Sequence, residues 1–399
     1  MIQLILTPLW KKCKLDYNMS QKKVKILTIV GTRPEIIRLS RVIARLNQSE
    51  SIHHILVHTG QNYDYNLNEI FFDDLGISKP DYFLEAASDT ASKTIGEILI
   101  KIDKVLDTIK PDAVLVLGDT NSCLSVIAAK KKKIPIFHYE AGNRCFDQRV
   151  PEEINRKIVD HISDINITYS SQAKEYLINE GLDPDRIIKI GSPMFEVINY
   201  NMKKIKKSNI LSNLKIKKNE YFLVSSHREE NVDNRKNFIK LINSLNNICT
   251  SYKLPIIFPI HPRTKKILGK SNLKPNENIK FIDPLGFTDY INLQINAKVV
   301  ISDSGTIFEE SSILNFRALN IRESHERPEA IEEASVIVTG LNEERIFQGI
   351  QSLENQKIGN TRNINIVADY NIPNVSLKIE RLIISYIDYV NRIVWQKES

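Results

Sequence analysis

Short runs of Val, Ile and Phe alternate with amphipathic helical stretches along most of this chain, and no other feature of the sequence restricts the fold as strongly. In the first half, such runs predict strands at residues 24–30, 52–57, 113–117, 134–138, 165–169 and 187–190. Strands that alternate with helices pair in parallel, because each helix carries the chain back along the sheet. The first half is therefore predicted to be a doubly wound sheet.

The same alternation restarts after a polar, lysine-rich stretch at residues 203–218. Further strands are predicted at residues 221–225, 255–260, 279–282, 298–301, 318–321 and 335–338. We predict an α/β fold of two Rossmann-like doubly wound domains facing a cleft, because ligands bind at the carboxyl ends of parallel strands. Residues 1–19 are predicted to be a tail or an over-called start, that is, a start codon assigned too far upstream. An N-terminal domain is predicted at 20–200 and a C-terminal domain at 201–374. A final helix at 375–399 can pack back on the first domain.

Composition and charge argue against several functional classes. Hydrophobic residues make up 42% of the 399 residues and charged residues 26%, as in water-soluble globular proteins. The net charge of +7 is modest and the lysines are scattered, so nucleic acid is not an expected partner. A mild positive charge does suit an anionic small molecule, which a cation-lined cleft concentrates.

The sequence also argues against a membrane, disulfide or zinc protein. Its 4 cysteines show no CxxC pair or His-Cys ligand spacing, which favours a reducing compartment. No apolar run reaches the ~20 residues of a membrane helix. Residues 1–18 place their apolar part before the lysines, the reverse of a secretory signal. We therefore expect a cytoplasmic protein with no membrane partner.

The sequence GTRPE follows the first predicted strand and opens a helix. Gly31 allows a sharp exit from the strand, and Pro34 suits a first helical turn. Exposed backbone N–H groups of this turn, together with Arg33, are predicted to receive phosphate or another anion. The alternative is an ordinary capped turn with a surface arginine.

Carboxylates follow neighbouring strands of the first half. Asp119 follows the strand at 113–117, Glu140 follows the strand at 134–138, and Glu152 opens a helix after Pro151. Carboxylates gathered at one rim repel, which raises the pKa of at least one and makes it a usable proton donor or acceptor. The alternative is that these acids cap helices, as Asp before a helix commonly does, or pair with three nearby arginines, Arg144, Arg149 and Arg156.

Histidine and small polar residues follow strands of the second half. His227 and His261 each stand after a predicted strand, where imidazole can bind pyrophosphate oxygens. The sequence DSGT at 303–306 is a second glycine-containing turn that opens a helix and suits phosphate. Glu310, on the same helix, can hold ribose hydroxyls. The alternative for a lone histidine is a structural role.

Taken in order, these motifs resemble one family. GTRPE, GDT, EAG, PEE-x-NR, HREE, HPR, DSG-x-x-x-EE and ERPEA occur in the order found in the non-hydrolysing UDP-N-acetylglucosamine 2-epimerases, and the resemblance runs from residue 24 nearly to the end. The fold of that family is similar to GT-B glycosyltransferases. The resemblance implies epimerisation at carbon 2 of a UDP-linked sugar by elimination and re-addition of UDP, without NAD or metal.

The resemblance also implies roles for individual residues. Asp119, Glu140 and Glu152 match the acid-base and oxocarbenium-stabilising carboxylates, with the donor and the acceptor left open, and His227 matches the group that helps UDP leave and return. The UDP-binding positions are matched by Arg33, Arg156, His261, Tyr290, Ser304, Gly305, Thr306 and Glu310. Tyr290 is placed to stack on uracil. The family further implies a homodimer and closure of the domains around the intermediate.

Within the family, longer stretches such as HTGQNYDYNLN and LGFTDYINLQINAK are most similar to UDP-N-acetyl-L-fucosamine synthases of surface-polysaccharide pathways, such as those for capsule and O-antigen. These enzymes invert carbon 2 of UDP-2-acetamido-2,6-dideoxy-L-talose. Asn62 and Tyr63 stand where many relatives have His-Arg in a second, activating UDP-sugar site. Thr306 replaces the second glycine of a DSGG motif, and Arg38 replaces a lysine.

Three alternatives stay open at the level of sequence. The first is epimerisation of UDP-N-acetylglucosamine to the manno sugar. The second is a GT-B glycosyltransferase that uses a UDP-sugar, because its fold and its diphosphate-binding turns would resemble those of an epimerase. The carboxylates at the strand ends argue against this alternative. The third is a UDP-sugar sensor without turnover.

Overall fold

Two parallel β-sheets organise the computed structural model, which describes residues 22–61, 71–260, 262–270, 273–323 and 326–397. The first has seven strands in the order β3-β2-β1-β4-β5-β6-β7. Its strands are β1 Val24–Val30, β2 Ile52–His58, β3 Tyr82–Phe83, β4 Ala113–Leu117, β5 Ile136–Tyr139, β6 Ile165–Thr168 and β7 Ile187–Lys189. The second has six, in the order β10-β9-β8-β11-β12-β13. These are β8 Phe222–Ser225, β9 Ile256–Pro259, β10 Ile279–Ile282, β11 Val299–Ser302, β12 Ala318–Asn320 and β13 Ile337–Val338.

Helices connect the strands in both halves. In the first half they are α1 Arg33–Gln48, α2 Ala91–Ile109, α3 Val126–Lys131, α4 Pro151–Ile162, α5 Ser171–Asn179, α6 Met194–Lys207 and α7 Ile210–Asn213. In the second half they are α8 Glu229–Val232, α9 Arg235–Tyr252, α10 Pro262–Lys270, α11 Phe287–Asn296, α12 Ile307–Leu314, α13 Pro328–Glu332, α14 Glu343–Leu353 and α15 Val375–Ile393. The predicted fold class, two Rossmann-like parallel-sheet domains, is confirmed. The two-residue strand β3 was not predicted, because so short a segment carries no readable alternation.

Strand order explains where a ligand can bind. In the first sheet the chain runs outward from β1 to β3 and then returns to β4 on the other side of β1. The second sheet repeats this reversal between β8 and β11. A crevice opens at the carboxyl ends of the strands where the order reverses. Arg33 and Asp119 follow β1 and β4, and His227 and Ser304 follow β8 and β11, so both reversals carry predicted site residues.

Helix α1 shows how the sequence sets the local structure beside the first crevice. Thr32 and Glu35 form a capping box at its start, and Pro34 lies in its first turn, where a missing N–H costs no hydrogen bond. The apolar face of α1, which includes Leu39 and Ile43, is fully buried. This packing holds the first turn of α1 rigidly against the end of β1.

The C-terminal helix α15 returns across the molecule and packs against α1. Ile379 and Ile383 on its inner face are fully buried, and Glu380 accepts a hydrogen bond from Arg45 Nε on α1 at 2.5 Å. The last helix therefore contributes to the core of the N-terminal sheet. Within the described part of the chain, no helix combines the length and apolarity needed to cross a membrane.

Replacing Ile383 by alanine should lower the free energy of unfolding by about 2–4 kcal/mol, because it removes a fully buried side chain and leaves a cavity. The matched control is the neighbouring Ile384, which is 44% exposed and should cost less than about 1 kcal/mol on the same change. Urea unfolding followed by circular dichroism measures both. Equal effects of the two substitutions would contradict the packing of α15 described above.

Candidate active site

A cavity of about 870 Å³ opens between the carboxyl ends of the two sheets. This volume lies within the range of small-molecule sites, roughly 300–1,000 Å³. Its walls come from both halves of the chain. The predicted site residues that line it are Arg33 from the first half and His227, Tyr290, Ser304, Thr306 and Glu310 from the second. Gly305 lies between two of these residues, whereas His261, like Asn62 and Tyr63, lies outside the described residues.

The predicted carboxylates do not border this cavity but form a charged cluster beside it. Leu117 at the end of β4 pairs with Tyr139 at the end of β5. Asp119 and Glu140 therefore follow neighbouring strands at the same edge of the sheet. A Cβ atom added to Gly118 would lie 3.4 Å from Glu140 Oε2, which shows how closely the two turns approach. The structure therefore brings these two acids together at one rim.

Asp119 is held by the helix α4 that follows. Arg156 donates to Asp119 Oδ2 through Nη2 at 2.5 Å and through Nε at 3.0 Å. Asn155 Nδ2 donates to the backbone carbonyl of Asp119 at 3.0 Å. Thr120, not Asp119, caps the short 3₁₀ helix that follows, because its hydroxyl accepts from the Ser122 N–H. Asp119 therefore does not cap the helix that follows it, in contrast to the alternative considered from the sequence.

The environment of Asp119 raises the pKa of its carboxyl. Burial in the cleft raises the pKa of this carboxyl, and the negative charges of Glu326, Glu140 and Glu152 raise it further. The Arg156 guanidinium opposes them but does not cancel them. Of the other arginines considered as partners, Arg144 pairs with Asp160 and Glu180, and Arg149 pairs with Asp147.

The environment of Glu140 has the opposite effect on its carboxyl. Its carboxylate accepts from Arg38 Nη1 at 2.5 Å and from Arg327, and the Tyr169 hydroxyl lies 3.4 Å away. Burial alone would raise the pKa of Glu140, but these two guanidinium groups outweigh it and hold the pKa below its usual value. Glu140 also has φ of 68°, a left-handed conformation that is strained for a residue with a side chain. Such strain is common at functional sites.

Glu152 lies on the first turn of α4 and faces the second half. Its Oε1 accepts from Arg228 Nη1 at 3.2 Å, and Arg228 directly follows His227 in the chain. The neighbouring Glu153 instead turns inward and pairs with Arg156 at 2.6 Å. The third predicted carboxylate therefore stands across the cleft from the predicted histidine.

Asp303 fixes the turn that carries His227. This fully buried carboxylate accepts from Ser226 Oγ at 2.8 Å, from the His227 and Arg228 N–H groups at 3.1 Å, and from Asn231 Nδ2 at 3.1 Å. It also lies 3.3 Å from His227 Nδ1. Partial desolvation of the imidazole at the cleft and the nearby Arg228 and Arg33 lower the pKa of His227, although Asp303 opposes them. The imidazole is therefore neutral near pH 7, with Nδ1–H directed at Asp303 and Nε2 as an acceptor.

The GTRPE turn differs from its prediction in one respect. The N–H groups of Gly31 and Thr32 donate to Glu35 Oε2 at 2.9 and 2.6 Å, so these two amides are engaged within the protein and do not face a ligand. Gly31 is required for another reason, because a Cβ there would lie 1.9 Å from Ser122 Oγ. Arg33 lines the cavity and supplies the cation of this turn.

Glu310 and Tyr290 stand together in the part of the cavity wall that the second half supplies. Gln294 Nε2 donates to Glu310 Oε2 at 2.6 Å, and burial raises the pKa of Glu310. Burial and the charge of Glu310 likewise raise the pKa of Tyr290. An aromatic ring beside a carboxylate in one pocket offers a stacking surface and an acceptor for hydroxyl groups.

Residues that sequence reasoning did not assign connect the two halves. Arg38 Nη2 donates to Glu309 Oε2 at 2.7 Å, while the same guanidinium holds Glu140. The other pairs that cross between the halves near the cleft join Arg327 to Glu140, Arg156 to Glu326 and Arg228 to Glu152. The motifs containing these residues were visible in the sequence, but their partners are far apart in the chain. Among the residues the structure describes, no group of three His, Cys, Asp or Glu side chains could hold a metal ion.

Glu35 provides a test of the local electrostatics. It is 1% exposed, and burial raises its pKa to about 7 in spite of the hydrogen bonds it accepts. The folded protein then binds the proton of Glu35 more tightly than the unfolded chain, so this group lowers stability progressively as pH rises from about 4.5 to about 7. Glu35→Gln should therefore gain about 1–3 kcal/mol relative to wild type over that pH range, as measured by urea unfolding at pH 5 and pH 7.5. A constant difference between the two proteins at both pH values would contradict this raised pKa.

Comparison with known proteins assigns the chain to a family. The sequence profile of the UDP-N-acetylglucosamine 2-epimerases matches residues 44–384. A UDP-N-acetylglucosamine 2-epimerase of Methanocaldococcus jannaschii is 39% identical over 342 residues, which cover 84% of this chain and 93% of the relative. A crystal structure from the same organism, in complex with UDP-GlcNAc and UDP, superposes with a TM-score of 0.84 at 36% identity and covers 91% of this chain and 100% of that one.

Two further relatives agree with this assignment. The structure of a UDP-N-acetylglucosamine 2-epimerase from Rickettsia bellii superposes with a TM-score of 0.88 at 52% identity, covering 94% of this chain and 100% of that one. A UDP-2,3-diacetamido-2,3-dideoxy-D-glucuronate 2-epimerase of Pseudomonas aeruginosa is 33% identical over 332 residues, covering 82% of this chain and 92% of the relative. The chain is therefore an enzyme of the isomerase type and belongs to the UDP-N-acetylglucosamine 2-epimerase family.

Proposed function

We propose that this protein inverts carbon 2 of a UDP-linked N-acetylated sugar by eliminating UDP and adding it back. The observation that carries the proposal is the meeting of two sets of groups. Asp119 and Glu140 gather at neighbouring strand ends of the first sheet, while His227, Tyr290, Ser304 and Glu310 follow strands of the second and line the adjoining cavity. Carboxyl groups that can transfer protons thus lie beside a proposed nucleotide-binding site.

The chemistry requires both sets. Carbon 2 of the sugar has no adjacent carbonyl to acidify its proton, so departure of UDP must place positive charge on carbon 1 first or concurrently. A nearby carboxylate stabilises that charge, and carboxyl groups on the two faces of the sugar ring remove and return the proton at carbon 2. Returning the proton on the opposite face before UDP rejoins carbon 1 inverts the centre. Each group therefore has a step to perform.

Uridine diphosphate is proposed to bind along the second sheet. Arg33 and the turn of Ser304, Gly305 and Thr306 hold the diphosphate, Glu310 holds the ribose, and Tyr290 stacks on uracil. The further proposed UDP contacts are those of Arg156 and His261. His227 is neutral without nucleotide, but the charge of a bound diphosphate would raise its pKa, so that it can protonate the departing UDP.

The proposed sugar is UDP-2-acetamido-2,6-dideoxy-L-talose, which would be converted to UDP-N-acetyl-L-fucosamine for a surface polysaccharide such as capsule or O-antigen. This choice is supported by the resemblance of residues 58–68 and 285–298 to that branch of the family. The alternative substrate is UDP-N-acetylglucosamine, the sugar in the names of the M. jannaschii and R. bellii relatives. The P. aeruginosa relative, named for a diacetamido sugar, supports the view that the family accepts several UDP-linked acetamido sugars.

We also propose that the enzyme acts in the cytoplasm as a homodimer. The resemblance to the family supports both points. Ile154 and Ile158, one turn apart on α4, are 57% and 38% exposed and give that helix an apolar outer face.

Incubation with each UDP-sugar in heavy water tests the reaction. We expect deuterium at carbon 2 with inversion of that centre, observed by NMR, because the proton on the product comes from a carboxylate that exchanges with solvent. Faster turnover of the L-talo sugar supports the proposed substrate, and turnover of UDP-N-acetylglucosamine alone would overturn it. Sugar transfer that needs an acceptor and leaves carbon 2 unchanged would instead indicate a glycosyltransferase.

Asp119→Asn should reduce turnover by about 10²–10⁴-fold, the usual contribution of a positioned acid or base. Affinity for UDP, measured by calorimetry, should stay within a few-fold, because Asp119 does not border the nucleotide cavity. The matched control is Asp107→Asn on the exposed face of α2, which should leave turnover unchanged. If the Asp119 variant unfolds, or if it retains turnover, the role of Asp119 in proton transfer is wrong.

A further inference from the structure

Two consecutive residues, Glu326 and Arg327, reach from the C-terminal half to the carboxylate cluster of the N-terminal half. Both are buried, at 9% and 2% exposure. They carry opposite charges and contact different members of the cluster. Neither residue has a role in the proposed reaction so far.

Arg327 acts on Glu140. Its Nη2 binds Glu140 Oε1 and lies 3.6 Å from Glu309 Oε2. On the other side of the same carboxylate, Arg38 Nη1 contacts Oε2 at 2.5 Å. Each oxygen of Glu140 therefore faces a buried guanidinium. The other titratable groups near this carboxylate are the hydroxyls of Tyr169, 3.4 Å from Oε2, and Tyr139, and the carboxyl of Asp119. Two buried cations beside one carboxylate favour its ionised form, because protonation of the carboxylate would leave the positive charge of the guanidinium groups uncompensated.

Glu326 acts on Asp119 through a shared arginine. Its Oε2 lies 3.3 Å from Arg156 Nη2, the same nitrogen that binds Asp119 Oδ2 at 2.5 Å. Arg322 approaches Glu326 at 3.3 Å, and the charges of Arg156, Arg322 and Arg228 lower the pKa of Glu326 despite its burial. An ionised Glu326 therefore competes with Asp119 for one cation and repels its negative charge.

Asp119 thus faces more acids than cations. Glu326, Glu140 and Glu152 oppose its ionisation, whereas Arg156 and the more distant Arg228 favour it. When acids share too few cations in one cluster, the pKa of the least compensated acid is raised most. Asp119 is that acid, because its one direct guanidinium partner, Arg156, is shared with Glu153 and Glu326, whereas Glu140 contacts the guanidinium groups of both Arg38 and Arg327.

We propose that Glu326 and Arg327 are positioning residues by which the C-terminal half sets opposite charge states on the two carboxylates, so that Glu140 accepts the carbon 2 proton and Asp119 donates one. This inference rests on the proposed function and assigns the donor and acceptor that the sequence left open. It also gives the two-domain cleft a role, since Glu326 and Arg327, which complete the charged surroundings of the pair, come from the opposite half.

The step balances without a further reactant. Glu140 takes the proton from carbon 2, the C–H electrons form the double bond between carbons 1 and 2, and the C1–O bond breaks with its electrons going to UDP, which takes a proton from His227. Asp119 then gives its proton to carbon 2 on the opposite face, while the UDP oxygen returns its proton to His227 and re-forms the bond to carbon 1. Exchange of protons with solvent restores both carboxyls. The reverse reaction uses the same two groups in exchanged roles, so both directions share one pH profile.

The test is the pH profile of kcat in wild type, Glu326→Gln and Arg327→Met. Activity is lost at low pH when Glu140 gains a proton and at high pH when Asp119 loses one. Glu326→Gln removes a negative charge beside Asp119, so the alkaline limb should move to lower pH by about one unit. Arg327→Met removes a positive charge beside Glu140, so the acidic limb should move to higher pH by about one unit.

Two controls separate this effect from a structural one. Glu323→Gln makes the same charge change at an exposed position three residues away and should move neither limb. Arg327→Lys keeps the charge and should restore the acidic limb if Arg327→Met shifts it or fails to fold. Uniformly lower kcat with unmoved limbs in Glu326→Gln and in a folded Arg327 variant would overturn the inference while the proposed function stands. A wild-type protein that exchanges no proton at carbon 2 of either UDP-sugar would overturn both.

Discussion

The buried ion pairs that cross between the two halves are the constraint on which the rest of the structure depends. Arg38 lies between Glu140 of its own half and Glu309 of the other, and Arg327 closes the group from the opposite side. A buried charge is costly unless it is paired, and removal of one partner typically destabilises a protein by about 3–5 kcal/mol. The first half therefore supplies only part of the counter-charge around its own site carboxylates, and Arg327 of the second half supplies more. The cleft exists in this form because each half supplies counter-charges to the other.

The same pairs connect structure to chemistry. Arginines hold Glu140 ionised, whereas Asp119 must share Arg156 with Glu153 and Glu326. Environments that drive the pKa values of neighbouring carboxyls apart allow one to accept a proton while the other donates. The cavity lies beside this cluster, and in the proposed function a diphosphate-linked sugar extends from one to the other.

The sequence predicted the frame of the site because that frame follows from local patterns. Alternating apolar runs gave two parallel sheets, and strand reversal then fixed which loops meet. Arg33, Asp119, His227 and Ser304 follow the strands at the two reversals, as expected from their positions after predicted strands. Tyr290 and Glu310, which the family resemblance matches to UDP-binding positions, line the cavity, and their contacts with UDP stay a prediction. His261 lies outside the described residues, so its placement stays a prediction.

The partners of these residues could not be predicted in the same way. Glu140 and Arg327 are 187 positions apart, and no periodicity relates them. The hydrogen bonds from the Gly31 and Thr32 N–H groups to Glu35 are local contacts. The same sequence motif would equally suit a site in which these N–H groups bind an anion. Only the geometry of the helix cap distinguishes the two arrangements. Asp303 was read as part of a phosphate turn, but its buried carboxylate anchors the His227 turn instead. Side-chain direction, not residue type, settles each of these cases.

A crystal structure of the protein with UDP and the unreacted sugar tests the central claim most directly. The account predicts the uracil beside Tyr290 and the sugar directed at the carboxylate cluster, with carbon 2 within about 4 Å of Asp119 and Glu140 on opposite faces of the ring. A sugar that points away from both carboxylates, with the nucleotide bound in the same cavity, would contradict it.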